Sequence, residues 1–144
     1  MKVAITGAAG HLGAALLQEL FKRNMPVRAL FRDEDIRSCN NLPVDIIYGD
    51  MLQPGVLKSL FQDCDTVIHC AAVISVNGDP SGIVHRTNVE GTRLAIDAAL
   101  TNGIKRFIHI SSIHAFQQQP TFEILNEQRA PVTEKAFAYD RSKL

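Results

Sequence analysis

Lys2-Val-Ala-Ile-Thr-Gly-Ala-Ala-Gly-His-Leu-Gly13 decides how the rest of the chain is read. Val3 to Thr6 is a short apolar run, the pattern of a strand buried on both faces of a parallel sheet. It breaks directly into Gly7, Gly10 and Gly13, spaced three apart, and a helical pattern follows from Ala14 onward. A strand, a tight glycine turn and a helix in that order form a device for holding the pyrophosphate of a dinucleotide. The glycines let phosphate oxygens approach the backbone, and the helix offers unpaired N–H groups at the positive end of its dipole.

Outward from this stretch, strands and helices alternate. Leu12, Leu16, Leu17, Leu20 and Phe21 recur at helical spacing, predicting an amphipathic helix over 11–23. Val27 to Phe31 reads as a second buried strand and Val44 to Tyr48 as a third. Pro54 suits the first turn of a helix whose apolar face is Val56, Leu57, Leu60 and Phe61. Thr66 to Cys70 is a fourth strand, and a long helix is expected at about 83–101, stopped by Asn102-Gly103. Arg106 to Ile110 is a fifth strand. Residues 115–133, rich in Gln and Pro, read as an irregular surface loop. A last helix is expected to begin near Thr133-Glu134 and to carry Tyr139 and Lys143. Such alternation predicts an α/β fold, a doubly wound parallel sheet forming a Rossmann-like dinucleotide-binding domain over 1–144.

The composition narrows the partners. Apolar residues are 46% of the 144, charged residues 21%, and the formal net charge is zero, so no basic patch or acidic tail invites nucleic acid. No apolar run approaches the ~18 residues of a membrane span, and the N-terminus lacks the pattern of a signal peptide. Cys39, Cys64 and Cys70 are odd in number and lack metal or redox spacing, which fits reduced structural thiols in a cytoplasmic protein. A small-molecule substrate is the partner expected, and a homodimer is an allowed assembly.

In a doubly wound sheet ligands sit at the carboxyl ends of the strands. The chemically suggestive residues fall there: Gly7 to Gly13 after the first strand, Arg32 after the second, Asp50 after the third, Ala71 to Val73 after the fourth, Ser111-Ser112 after the fifth. This convergence says more than any single motif.

With these pieces in place the chain resembles the extended branch of the short-chain dehydrogenase/reductase family, the epimerases, dehydratases and reductases. The resemblance rests on Thr6-Gly-Ala-Ala-Gly-His-Leu-Gly13, Gly49-Asp50, His69-Cys-Ala-Ala72, Asn88-Val-Glu-Gly-Thr92, Ser111-Ser112 and Tyr139-Asp-Arg-Ser-Lys143, in the family's order. Within the branch it is most similar to the dihydroflavonol-reductase and 3β-hydroxysteroid-dehydrogenase group. The resemblance implies an NADP-dependent oxidoreductase with Ser112, Tyr139 and Lys143 as catalytic residues. It assigns cofactor binding to Gly7, Gly10, His11, Leu12, Gly13, Arg32, Asp50, Met51, Ala71, Ala72 and Val73, together with Tyr139 and Lys143. It prefers Ser112, which precedes the apolar Ile113, over Ser111. It also allows Asn88, otherwise a helix-kinking or loop-bonding amide, a relay role.

The chemistry of the residues agrees. Tyr139 and Lys143, four apart, would share one face of a helix, and an ammonium beside a phenol favours the phenolate. Such a tyrosine passes protons to and from a substrate oxygen, a serine hydroxyl stabilises charge developing there, and hydride transfer belongs to the nicotinamide.

NADP is expected rather than NAD, the alternative, because the position at the end of the second strand that the resemblance assigns to ribose reading is Phe31, which accepts nothing. Arg32 beside it suits a phosphate, with Arg37 in support and Asp33 as the counter-argument. The competing readings are a nucleotide-sugar epimerase or dehydratase and a nucleotide-sensing module. The absence of an acidic residue after Ser112 counts against a dehydratase, and the Tyr/Lys pair against a sensor.

The five histidines give no metal spacing: His69 and His109 read as packed, His85 as lacking a ligand partner, His11 as a backbone contributor, and His114 as a loop residue near the serines. The native protein is expected to continue past Leu144, where the substrate region of this branch normally lies.

Overall fold

The computed structural model describes residues 1–32 and 43–144. In chain order the elements are β1 (Val3–Thr6), α1 (His11–Lys22), β2 (Val27–Phe31), β3 (Asp45–Tyr48), α2 (Val56–Phe61), β4 (Thr66–His69), α3 (Ile83–His85), a π-helical turn (Arg86–Glu90), α4 (Gly91–Thr101), β5 (Arg106–His109), a 3₁₀ turn (Ile113–Ala115) and α5 (Ala138–Arg141). They group into two compact units, one of residues 1–71 and 91–110, the other of 72–90 and 111–144.

The first unit is the sheet with its helices. The strands run in the order β3-β2-β1-β4-β5, every pairing parallel, with Val3 opposite Val27 and Thr66 and with Thr6 opposite His69. This is a Rossmann-like doubly wound sheet, whose strand order reverses between β1 and β4. Alternate residues of a strand point to opposite faces, so each face of β1 has its own core. Ala4 joins Leu30, Leu57, Leu60, Phe61, Val67, Ala95 and Ala99 beneath α2 and α4. Val3 and Ile5 join Leu17, Val27, Ala29 and Phe31 beneath α1. Burial of each large side chain stabilises the fold by roughly 1.5–3 kcal/mol. The stripe expected on α1 is narrower than its spacing suggests: Leu17 is buried, Leu16 and Leu20 half-buried, while Leu12 and Phe21 are exposed.

The second unit holds short elements linked by loops, with a bridge between Phe116 and Pro131 inside the irregular 115–133 stretch. Arg129 organises that stretch, its guanidinium donating to the carbonyls of Gln119 and Glu123 at 2.8 and 3.2 Å.

Three local expectations are corrected. Pro54 lies outside the helix it was expected to open, because α2 starts at Val56 after Gly55 in a left-handed conformation (φ +83°). The long helix is interrupted at Arg86–Glu90 by a π-helical turn that contains the buried Asn88. The last helix is only Ala138–Arg141, and Lys143 sits in the turn after it. Phe137 is extended, and the Ser142 hydroxyl donates to the Tyr139 carbonyl at 2.6 Å, a local bond that competes with helix continuation.

Candidate functional site

In the sheet unit the glycine turn closes on itself. The Gly10 N–H donates to the Gly7 carbonyl at 3.0 Å, and a Cβ built at Gly13 would lie 2.2 Å from that same carbonyl oxygen. Gly7 has φ +69°, and a Cβ there would meet the Ala71 nitrogen at 2.6 Å, so the turn is also packed against the chain leaving β4. The first turn of α1 has no capping side chain, because Gly10 is its N-cap. His11 and Leu12 are exposed there. A close-packed turn of small residues feeding an uncapped helix N-terminus is chemically suited to a pyrophosphate.

Beneath the turn runs a buried polar chain. The Ala71 amide donates to Thr6 Oγ1 at 3.3 Å, and Thr6 Oγ1 lies 2.8 Å from His69 Nδ1. His69 Nε2 lies 3.1 Å from Thr92 Oγ1. Each threonine hydroxyl can donate or accept, so both His69 ring nitrogens have a partner in either tautomer. His69 is packed, as its position in a strand implies, but it is also the hub that ties the ends of β1 and β4 to α4. The sequence signal for this was polar Thr6 and His69 closing otherwise apolar strands. His109 departs from expectation: it is exposed on the edge strand β5, where its ring stacks on His69 at 5.6 Å.

At the end of β2 the Phe31 side chain is fully buried and the following Arg32 is exposed. Asp33 and Arg37, the other residues weighed for ribose or phosphate, lie outside the described residues, as does Cys39. Asp50 uses Oδ1 to accept the Leu52 amide at 2.8 Å, and Met51 packs into the core beneath α2 and α4, which leaves its backbone rather than its side chain for a ligand. Cys64 is buried, and burial pushes its thiol up from the ordinary value.

The second unit carries Ser112, Tyr139 and Lys143. Ser112 caps the 3₁₀ turn, its Oγ accepting the His114 amide at 3.2 Å, whereas Ser111 is exposed. Tyr139 is half-buried on α5, and Lys143 is buried with Nζ 6.0 Å from the centre of the Tyr139 ring, so the two do share a side although Lys143 lies beyond the helix. His114 approaches the same ring edge-on at 6.0 Å and pairs with Asp140, Nδ1 to Oδ1, at 3.3 Å.

Asn88 is both things that its sequence context allowed, a residue at a helix irregularity and a loop-bonding amide. Its Oδ1 accepts the Val73 amide at 2.7 Å, and its Nδ2 donates to the Val73 carbonyl at 2.9 Å and to Ser142 Oγ at 2.8 Å. Val73 is thereby fixed by its backbone, and Ala72 before it is exposed. Asp79 accepts the Val84 and His85 amides at 3.0 and 2.9 Å. Burial opposes its charge, but these amides and the neighbouring Arg86 and His85 outweigh it and hold the carboxyl below its ordinary value.

The family model described as the NAD dependent epimerase/dehydratase family matches residues 3–144. The chain belongs to that family. Sterol demethylase protein B of Methylococcus capsulatus is 30% identical over 144 residues, covering 99% of this chain and 44% of that protein. A Synechocystis protein provisionally assigned as a dihydroflavonol 4-reductase is 33% identical over 141 residues, covering 96% of this chain and 41% of that one. Among solved structures, a Tyr-to-Phe mutant of UDP-glucuronic acid 4-epimerase from Bacillus cereus, in complex with a fluorinated UDP-sugar and NAD, superposes with a TM-score of 0.82. It is 26% identical, and the match covers 99% of this chain and 49% of that one. The chain thus spans less than half the length of these relatives.

Family and fold imply a nicotinamide dinucleotide, and the glycine turn fits one: it leads from β1 into α1, whose first turn has Gly10 as N-cap and no side chain bonded across it. Among the described residues no group of three or more His, Cys, Asp or Glu is placed to hold a metal ion, and no helix is long and apolar enough to cross a membrane.

Proposed function

We propose that the protein is an NADP-dependent oxidoreductase, a carbonyl reductase or hydroxyl dehydrogenase. The observation that carries the reading is Tyr139 with the buried Lys143 ammonium 6.0 Å from its ring, in the unit that also presents the Ser112 hydroxyl. Ser112 Oγ already accepts from the His114 amide, which leaves its own proton to donate to a substrate oxygen. Tyr139 delivers a proton to that oxygen, and Lys143 stabilises the phenolate left behind. The nicotinamide, when bound, supplies or accepts the hydride. Gly7, Gly10, His11, Leu12 and Gly13 hold its pyrophosphate. Arg32, Asp50, Met51, Ala71, Ala72, Val73, Tyr139 and Lys143 are the other residues assigned to the cofactor.

NADP is preferred because Phe31 is buried and offers no acceptor, while the exposed Arg32 offers a planar cation to a 2′-phosphate. A reductase is preferred to a sugar-nucleotide epimerase, the second reading that the Bacillus relative supports. Ile74, Val76, Ile113 and Phe137 are exposed apolar side chains on the unit that carries Ser112 and Tyr139, and they suit a hydrophobic carbonyl compound. The relatives named for a sterol and a dihydroflavonol point the same way. We further propose that these 144 residues are the cofactor-binding part of a longer cytoplasmic protein. The relatives are more than twice as long, and Leu100 on α4 and Ile108 on β5 stand exposed.

In natively expressed protein, Tyr139→Phe should lower turnover roughly 100- to 10,000-fold. Calorimetric NADPH affinity should stay largely intact, because the glycine turn carries most of the cofactor binding, and wild-type turnover would overturn the assignment. Titration with both cofactors should show tighter NADPH binding; tighter NADH binding would overturn the NADP preference. Intact mass well above 15.9 kDa is expected of the native protein, and an active species of that mass would refute the longer chain.

A further inference from the structure

Resting on the oxidoreductase reading above, we propose that His114 and Asp140 form a positioning pair that sets the Ser112 hydroxyl relative to Tyr139. His114 grips both sides of this relationship with one residue. Its backbone N–H donates to Ser112 Oγ at 3.2 Å, which fixes one lone pair of the serine and directs the hydroxyl proton elsewhere. Its ring meets Asp140 at 3.3 Å and lies edge-on to Tyr139 at 6.0 Å, so the same residue seats the 3₁₀ turn against α5.

The 3₁₀ turn transmits the constraint because it is short and bonded at both ends. The Ala115 amide donates to the Ser112 carbonyl and the Phe116 amide to the Ile113 carbonyl, each at 3.1 Å. Asp140 has a side chain only 14% exposed, and a carboxylate so placed is costly without a donor. The other end of α5 is held separately, through Ser142 to Asn88 at 2.8 Å and through the Arg141 guanidinium to the Glu134 carbonyl at 2.8 Å. Those bonds fix the helix but not its relation to the serine. The His114–Asp140 pair supplies that relation, and a misplacement of the reacting groups is felt in turnover rather than in binding.

The test uses natively expressed protein and four variants. His114→Ala and Asp140→Ala should each lower kcat about tenfold, the equivalent of one lost hydrogen bond, with NADPH affinity held within about twofold. The double variant should be no slower than either single one, because both remove the same interaction. His114→Asn places an amide donor near the position of Nδ1, and its kcat should recover to within about threefold of wild type. An independent readout does not depend on activity: hydrogen exchange at the His114 amide should quicken in Asp140→Ala, or in Asp140→Asn if the alanine variant does not fold. Wild-type kcat in His114→Ala, additive losses in the double variant, or unchanged exchange would each overturn the pair. Failure of the oxidoreductase reading itself would show differently, as Tyr139→Phe retaining turnover, and the exchange measurement would still decide the pair.

Discussion

Leu17, Leu60, Phe61 and Val67 disappear into the sheet unit, whereas the unit carrying Ser112, Tyr139 and Lys143 buries only Val84 and Ala115 among its described apolar residues, beside the polar Asn88 and Lys143. The first unit is held by apolar area on two faces of a parallel sheet. The second is held by individual polar bonds: Asn88 to Val73 and Ser142, Asp79 to two amides, Arg129 to loop carbonyls, His114 to Asp140. The difference teaches where each kind of damage should appear. Loss of a side chain in the sheet unit should register as global stability, and loss of a polar contact in the other unit as local opening and lost geometry.

The sharpest way to break this comparison is a core truncation. Leu60→Ala, at a position with no exposure, should cost about 2–5 kcal/mol in urea unfolding. Gly13→Ala comes next, since its methyl would sit 2.2 Å from the Gly7 carbonyl oxygen. Overpacking of this kind costs typically 1–3 kcal/mol, and calorimetry should show NADPH binding lost with it.

Asn88→Ala is the counterpart in the second unit. It strands the Val73 amide and carbonyl, and the expected local cost is about 1–3 kcal/mol, read as faster exchange at the Val73 amide with little change in the urea midpoint. A global loss as large as that of Leu60→Ala would break the comparison.

The smallest effect is a pH dependence. Asp45 is held below its ordinary value, first by the hydrogen bond from Lys2 at 2.9 Å and then by that from Arg28 at 2.7 Å. A depressed carboxylate contributes stability above its unfolded pKa of about 3.9 and loses it as pH falls through the lower folded value. The Asp45 contribution to stability should therefore be level from neutrality to about pH 4 and decline below it. Asp45→Asn should decline less steeply over the same acid range.

The same contrast explains how much of the molecule was legible in the sequence. Strand β2 has the predicted bounds, Val27–Phe31, because an apolar run flanked by Pro26 and Arg32 has few other uses. The glycine turn and the parallel sheet followed from the local pattern and the alternation of strands and helices. What escaped depends on partners far away in sequence. Thr6 and His69 are 63 residues apart, Asn88 and Ser142 are 54 apart, and no period announces either bond. Arg129 lies in the stretch read as an irregular surface loop, yet its side chain is nearly buried and bonded to carbonyls. The early end of α5 has a local origin instead, since a serine hydroxyl can serve a carbonyl in place of the next helical amide. Ser112, Tyr139 and Lys143 could be named by motif, but the His114–Asp140 pair could not.

Isotope transfer tests whether the protein carries out the proposed net transfer of hydride to a hydrophobic carbonyl compound. NADPH deuterated at the transferring position of the nicotinamide would be supplied to natively expressed protein with a panel of apolar ketones and, separately, UDP-sugars. The account predicts an alcohol carrying one deuterium at the former carbonyl carbon, with one NADP⁺ formed per product and no change in the UDP-sugars. An epimerised sugar nucleotide, formed with no net consumption of NADPH and with no deuterated alcohol from any ketone, would contradict it.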